Sequence, residues 1–404
     1  MVKTSNKPSN WLLITFDQWR GDWLHQSWLH LPNLKHLSRT GWDVRRCYTS
    51  SPQCIPARAS WLTGLTPGQL GVTKNMHYMV PANSPSFARD LRDQHGFYNV
   101  LVGKTHWTPH VRGVDLRDNM SLMKDLGFDH AREIAGPRAL AEVSCELTDL
   151  WQDSGLLEKY QSDIQNRYLN DCIHTVRPSV LPNHLYPDLW LTKVALEELS
   201  RMPYDRPWLL WVNYPGPHEP FDVPLSWRGH HGDIPPPESR PDDSEQLQLL
   251  APAGSELARK LDRWPDGIPR EALRALRSDY ADHLHLLDTQ LGILLQSLAV
   301  RIDQCNTAVT VCSDHGELLG DWGLLLKGCF LEGAIRSLFV HSPPHRRRFP
   351  RRLWQPNYRP YGLTKCLWDA ATAVAYPHKS FGTLLRSQDR NVLVEFGQEQ
   401  INIQ

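Results

Sequence analysis

Cys54, Pro56 and Arg58 alternate along the stretch Ser51-Pro52-Gln53-Cys54-Ile55-Pro56-Ala57-Arg58-Ala59-Ser60-Trp61-Leu62-Thr63-Gly64. Proline fixes φ near the helical value and lacks the N–H that a first helical turn cannot use, so the spacing predicts a helix beginning just after Cys54. Unpaired N–H groups at such a start attract an anion, and Arg58, four residues on, reaches back to the same face. A sulfur nucleophile beside an anion cradle is the chemistry on offer. A lone cysteine is more often a small, inert core residue, so this chemistry calls for further groups nearby. A phosphatase-type cysteine loop needs a longer Cys-to-Arg spacing than the three residues found here.

Further groups stand at the ends of apolar runs. Trp11-Leu12-Leu13-Ile14-Thr15-Phe16 ends in Asp17-Gln18, as expected of a buried parallel strand with polar groups at its carboxyl end, where ligands of open α/β sheets bind. Oxygen donors there suit a hard divalent cation, although position alone fits Asp17 equally well to a turn or cap. Asn99-Val100-Leu101-Val102 runs into Gly103-Lys104-Thr105-His106. In an extended chain Lys104 and His106 point to one face and set a cation and a titratable base in one site. Pro207 to Tyr214 is a second buried strand, delivering Pro215-Gly216-Pro217-His218-Glu219-Pro220-Phe221. Prolines on both sides stiffen that loop and present His218 as a candidate acid or base, while Glu219 is expected to be solvated. Ala308 to Cys312 ends in Ser313-Asp314-His315-Gly316-Glu317, with Gly316 permitting a tight backbone turn. Asp17, Gln18, Asp314 and His315 would close one metal site from two strands.

Around these residues the pattern predicts an α/β fold. A helix starts at Leu31-Pro32-Asn33-Leu34, a strand spans Val44 to Thr49 before the Cys54 loop, and an amphipathic segment lies at Phe87–Arg92. Tyr280, Leu284, Leu287, Leu291, Leu294 and Leu295 recur at helical spacing and mark a core-facing helix. Residues 115–201, with helical hints at 140–151 and 189–199, are expected to be an insertion shaping the substrate mouth. Residues 229–270 are expected to be a long irregular excursion. Asn391 to Phe396 is expected to be a closing strand. The basic run at 345–352 is of the kind that usually forms a solvated loop.

The 404 residues carry 44 basic and 44 acidic side chains, so no net field steers the chain to nucleic acid or an anionic membrane. Small-molecule chemistry is the expectation. Eight cysteines without C-x-x-C pairs form no zinc-ribbon or disulfide framework. The polar first ten residues and the short apolar run after them are expected to form neither a leader nor a membrane span, and the chain is expected to be cytoplasmic.

Cys-x-Pro-x-Arg with Leu62-Thr63-Gly64 resembles the signature of the type I, formylglycine-dependent sulfatases of the alkaline phosphatase superfamily. The resemblance extends in the family's order through Asp17-Gln18, Pro32-Asn33-Leu34, Lys104-x-His106, His218-x-Pro220-Phe221, Tyr280-Ala281-Asp282 and Ser313-Asp314-His315-Gly316-Glu317 to Lys327. It implies a strand over Arg336 to Val340 but departs in lacking a proline after Arg336, and it fades beyond His341, the family's next helix being blurred into Leu367 to Ala373. It implies an alkaline-phosphatase-like, mixed and mostly parallel sheet flanked by helices, with a catalytic domain over 1–342 and a short C-terminal α+β subdomain over 343–404.

It also implies that a maturation enzyme oxidises Cys54 to formylglycine, whose hydrate attacks the sulfur of a small-molecule sulfate ester. Asp17, Gln18, Cys54, Asp314 and His315 are then expected around one divalent cation. Calcium is the family's usual ion, and the nitrogen of His315 admits manganese. Arg58, Lys104 and Lys327 would hold the sulfuryl oxygens, His218 would protonate the leaving oxygen, and His106 would take the proton of the second hydroxyl. Asp17-Gln18-Trp19-Arg20 with Asp314-His315 is similar as well to the phosphonate monoester hydrolases and phosphodiesterases of the superfamily, which lack the Lys-x-His pair. Without maturation of Cys54 the same site would only bind an anion.

Overall fold

The computed structural model describes residues 8–168, 175–232, 234–241, 244–344, 360–376, 378–387 and 391–403. The basic run at 345–352 lies outside them. Twelve strands are present among the described residues. They are β1 (Asn10–Phe16), β2 (Trp42–Asp43), β3 (Cys47–Tyr48), β4 (Tyr98–Lys104), β5 (His130–Ile134), β6 (Trp208–Tyr214), β7 (Thr307–Ser313), β8 (Arg336–Ser337), β9 (Phe339–Ser342), β10 (Tyr361–Gly362), β11 (Val392–Phe396) and β12 (Glu399–Ile403).

A seven-stranded sheet runs in the order β2-β9-β7-β1-β6-β4-β5. β5, β4, β6, β1 and β7 are parallel, and β9 is antiparallel to both β7 and β2. Every residue of β1, β6 and β7 is buried, because helices cover both faces and leave no solvent side to alternate toward. Leu12, Ile14, Leu210, Val212 and Val311 face a core completed by the helices Pro32–Thr40, Pro187–Arg201 and Arg270–Ala299. Trp11, Leu13, Leu209 and Trp211 face the other, completed by Cys54–Thr63, Phe87–His95 and Leu363–Ala375. This is the mixed, mostly parallel α/β architecture expected from the sequence. No helix among the described residues is long and apolar enough to cross a membrane.

Several local expectations change. Residues 115–201 are no insertion: they supply edge strand β5 and the Pro187–Arg201 helix, which packs against β4 and β6. Val44 to Thr49 is not one strand. Only Cys47–Tyr48 pairs, with β8 and β10 in a separate three-stranded sheet, so Cys54 is not delivered from the central sheet's edge. The strand expected over 336–340 splits for the same reason, β8 joining the small sheet and β9 the large one. Residues 229–270 contain two short helices, Ser244–Leu250 and Glu256–Arg263. Within 343–404, the Leu363–Ala375 helix enters the same core as Trp11 and Trp211, and β11 and β12 form a hairpin.

Candidate active site

Strand register builds the first half of the site. Phe16 lies opposite Tyr214 on one side and Ser313 on the other, so Asp17 and Asp314 leave adjacent strands side by side. Gly103 lies opposite Asn213, which brings Lys104 to the same sheet edge. The backbone locks this edge: Asp17 N–H donates to Gly216 O at 3.0 Å, and Asp314 N–H donates to Phe16 O at 3.2 Å. Asp314 Oδ1 accepts the N–H groups of Gln18 at 2.8 Å and His315 at 2.9 Å. Gly316 is needed for close approach rather than for a left-handed turn, since a Cβ there would meet Gly333 O at 2.0 Å.

The Cys54–Thr63 helix brings in the sulfur. It ends at Gly64, whose φ of 74° is the left-handed conformation glycine adopts freely. Its start is a poorer anion cradle than the sequence suggests: Ile55 N–H already donates to Asn75 Oδ1 at 2.9 Å and Ala57 N–H to Gln53 O at 3.1 Å. Lysines supply the positive field instead. Cys54 Sγ lies 3.2 Å from His315 Nε2 and 3.7 Å from Asp17 Oδ1. Arg58 sends Nε to Asp314 Oδ2 (2.8 Å), Nη2 to Asp17 Oδ2 (3.2 Å) and Nη1 to Lys104 O (2.7 Å). With each guanidinium nitrogen engaged, Arg58 braces the two carboxylates rather than facing a sulfuryl group.

Lys104 Nζ pairs with Asp17 Oδ2. His106 adopts a positive φ of 59°, so the chain is not extended as expected, yet its buried ring remains in the electrostatic environment of Cys54 and packs on His110 with centroids 4.7 Å apart.

Loops carry the second half. His218 is buried, and its Nδ1 lies 2.7 Å from the Glu219 carbonyl oxygen and 3.2 Å from Glu219 Oε2. Glu219 is not solvated; it is 1% exposed, with Lys327 Nζ 3.5 Å from Oε2. Lys327 Nζ also donates to Gln18 Oε1, and Gln18 Nε2 donates to Glu317 Oε2. Gln18, expected as a metal ligand, therefore has its amide oxygen on Lys327. Glu317 is held in turn by the main chain, its Oε1 accepting the N–H of Leu319 at 3.2 Å and that of Leu326.

Sequence reasoning missed the roles of Glu219, Glu317 and Tyr280, whose hydroxyl donates to Gln18 O at 2.7 Å and accepts from Arg20 N–H at 3.0 Å. Glu317 stood inside a quoted motif, whereas nothing adjacent in the chain signals that Glu219 is buried.

The electrostatics follow from this crowding. Burial pushes the Cys54 thiol up, but Lys327, Lys104, His315 and His106 together hold it well below its usual range. Burial and the Cys54 charge also oppose ionisation of Asp17, yet Lys104, His218 and Arg58 keep it below the usual carboxylate range. Asp314 moves the other way, raised by burial and by Asp17 beside it. Burial opposes charge on His315, but Asp314 and Cys54 raise it to about 9. Burial and Lys104 push His106 well down. Burial works against Lys327 too, but Cys54 and Glu219 raise it.

Asp17, Cys54, Asp314 and His315 offer four buried ligand atoms within 4.8 Å of one another. Two carboxylates forced together, with one disfavoured as an anion by the other, are the surroundings that a divalent cation relieves. The donor set thus fits such an ion, and a ligating His315 would give up its proton to it.

Fold and site together define an alkaline-phosphatase-like α/β protein with a metal-fitting cluster at the carboxyl edge of its sheet. The chain belongs to the sulfatase family, whose model "Sulfatase" matches residues 9–364. It is 28% identical over 357 residues to the choline-sulfatase of Rhizobium meliloti, covering 84% of this chain and 64% of that protein. It is 26% identical over 345 residues to an arylsulfatase of Clostridium perfringens, covering 83% and 68%. In fold it is similar to the phosphonate monoester hydrolase of Agrobacterium radiobacter, with a TM-score of 0.69 at 23% identity over 96% of this chain and 80% of that one. The chain thus spans about two thirds of the length of these curated relatives.

Proposed function

We propose that the protein is a sulfuric ester hydrolase that cleaves a sulfate monoester, with Cys54 converted to formylglycine and a divalent cation held by Asp17, Asp314 and His315. The observation that supports it best is the convergence on residue 54: Sγ within 3.7 Å of Asp17 and 3.2 Å of His315, in the field of Lys104 and Lys327. The cation would supply Lewis-acid stabilisation of developing oxygen charge, and the aldehyde hydrate a hydroxyl nucleophile with a second hydroxyl that permits release of sulfate without water attack at sulfur. Oxygen-rich donors favour calcium, and His315 admits manganese. A formylglycine-generating enzyme is the partner this requires, and a cytoplasmic location belongs to the same proposal.

The chain's own residues have separable tasks. Arg58 and Lys104 keep Asp17 charged and placed. Lys327 offers preorganised positive charge to a sulfuryl oxygen where little water competes. His218 donates a proton to the leaving oxygen, and His106, buried beside residue 54, accepts one there.

Hydrolysis of a phosphonate monoester or phosphodiester is the second reading. Gln18 and His315 support it; Lys104 and His106, both gathered at residue 54, weigh toward sulfate. Matured, metal-loaded protein should be assayed on 4-nitrophenyl sulfate, bis(4-nitrophenyl) phosphate and 4-nitrophenyl phenylphosphonate. The expected kcat/KM favours the sulfate by at least about tenfold. The reverse preference transfers the assignment to the second reading. No turnover of any probe, with Cys54 found as an intact thiol, leaves an anion-binding homologue.

A further inference from the structure

We infer that Glu219 is a positioning residue that sets His218 as the proton donor to the leaving group; this rests on the role proposed above for His218. Glu219 follows His218 directly, yet both are buried, at 1% and 7% exposure. A carboxylate in that setting needs compensation. Glu219 has it from three sides: His218 Nδ1 at 3.2 Å, Lys327 Nζ at 3.5 Å and Arg138 Nη2 at 4.0 Å. Burial alone would raise its pKa, but those three groups lower it to about 2, so the carboxylate is charged at any working pH.

The geometry assigns the two ring nitrogens of His218 different tasks. Nδ1 faces the Glu219 carbonyl oxygen at 2.7 Å and the carboxylate at 3.2 Å, both acceptors, so Nδ1 carries hydrogen in every protonation state. Nε2 has no protein partner among the described residues and is the nitrogen left for the substrate. The imidazolium is the form that donates, and the Glu219 carboxylate lies 3.2 Å from Nδ1, on the side of the ring away from the free nitrogen. In the transfer, the Nε2–H bond breaks as the leaving oxygen takes the proton and the sulfur–oxygen bond cleaves. Neutral His218 remains, its Nδ1–H still on the Glu219 carbonyl oxygen with the carboxylate beside it.

Lys327 contacts the same carboxylate, so loss of Glu219 by a purely structural route would disturb the sulfuryl side and slow every ester alike. A positioning role for His218 slows only esters whose leaving oxygen needs a proton. The distinction is read with 4-nitrophenyl sulfate, whose leaving group departs readily as an anion, and phenyl sulfate, whose leaving group does not. Glu219→Gln keeps the shape and removes the charge. Its kcat on phenyl sulfate should fall about 30-fold or more, and on 4-nitrophenyl sulfate less than about 3-fold, within the range of general acid catalysis. His218→Ala should show the same selectivity, and the double variant should be no slower on phenyl sulfate than His218→Ala alone.

An equal loss on both esters, or none on either, overturns the inference for Glu219. If His218→Ala itself loses activity without selectivity, the role of His218 fails first, and the inference falls with it by a different result. Thermal midpoints of all variants, measured alongside, show whether a loss reflects unfolding; if Glu219→Gln is unstable, Glu219→Asp must show the same selectivity in weaker form.

Discussion

Strand ends and loops build the two halves of this site by different means. Asp17, Asp314 and Lys104 are placed by register: shifting β1 or β7 by one residue would turn their buried faces over, so the main-chain ladder fixes these side chains. His218, Glu219 and Lys327 come from loops with no ladder beneath them, and buried charge pairs hold them instead. Main-chain hydrogen-bonded register thus secures the half that fits a metal, and electrostatics secures the half that carries the leaving-group acid. The first half, together with Lys327 on the sulfuryl side, should respond to substitution uniformly across substrates, and His218 with Glu219 selectively.

The largest expected effect tests the strand-end half. Asp314→Asn removes a ligand and leaves Arg58 Nε without its carboxylate. The expected loss in kcat/KM is about 10⁴-fold for every ester probe, in line with losses of groups that act as a unit. Chelation of the wild type should mimic it, and calcium or manganese should restore only the wild type. A loss confined to poor leaving groups would break the contrast between the halves.

Next in size is Gly316→Ala. Its added Cβ would stand 2.0 Å from a backbone oxygen that cannot swing away, so unfolding in denaturant should cost less by about 3 kcal/mol. An unchanged midpoint would mean that the loop after β7 yields where the packing says it cannot.

The smallest effect probes the loop half. Asp222, in the same loop as His218, is raised by burial to about 6, with Arg167 and His283 only partly offsetting that. Its folded value lies above its unfolded one, so its contribution is fully present below about pH 4 and is lost as pH rises through 6. Asp222→Asn should therefore stabilise the fold at pH 7.5, by no more than about 3 kcal/mol, and by nothing near pH 4. A gain that is independent of pH would assign the effect to packing.

The same division explains what the sequence made legible. Asp17 and Asp314 end uninterrupted apolar runs, and Cys54 sits in a motif, so local pattern found them. Glu219 was misjudged because a buried salt bridge to Lys327, over a hundred residues away, leaves no trace in neighbouring residues. Arg58 was placed correctly in the site, but its partners arise only when β1 and β7 are laid side by side. Residues 115–201 hid their part in the fold because the Pro187–Arg201 helix buries residues nearly all around, among them Asp188, Thr192 and Glu198, which blurs the helical stripe. The split of 336–340 between two sheets depends on pairing partners and cannot be read from five residues.

The central claim is that residue 54 works as an aldehyde hydrate, and the mass of the peptide containing it tests this most directly. In a preparation that turns over 4-nitrophenyl sulfate, that peptide should be lighter than the encoded sequence by about 18 daltons, the difference between cysteine and formylglycine. Activity should rise in proportion to the converted fraction. A fully active preparation in which Cys54 is an intact thiol would contradict the account.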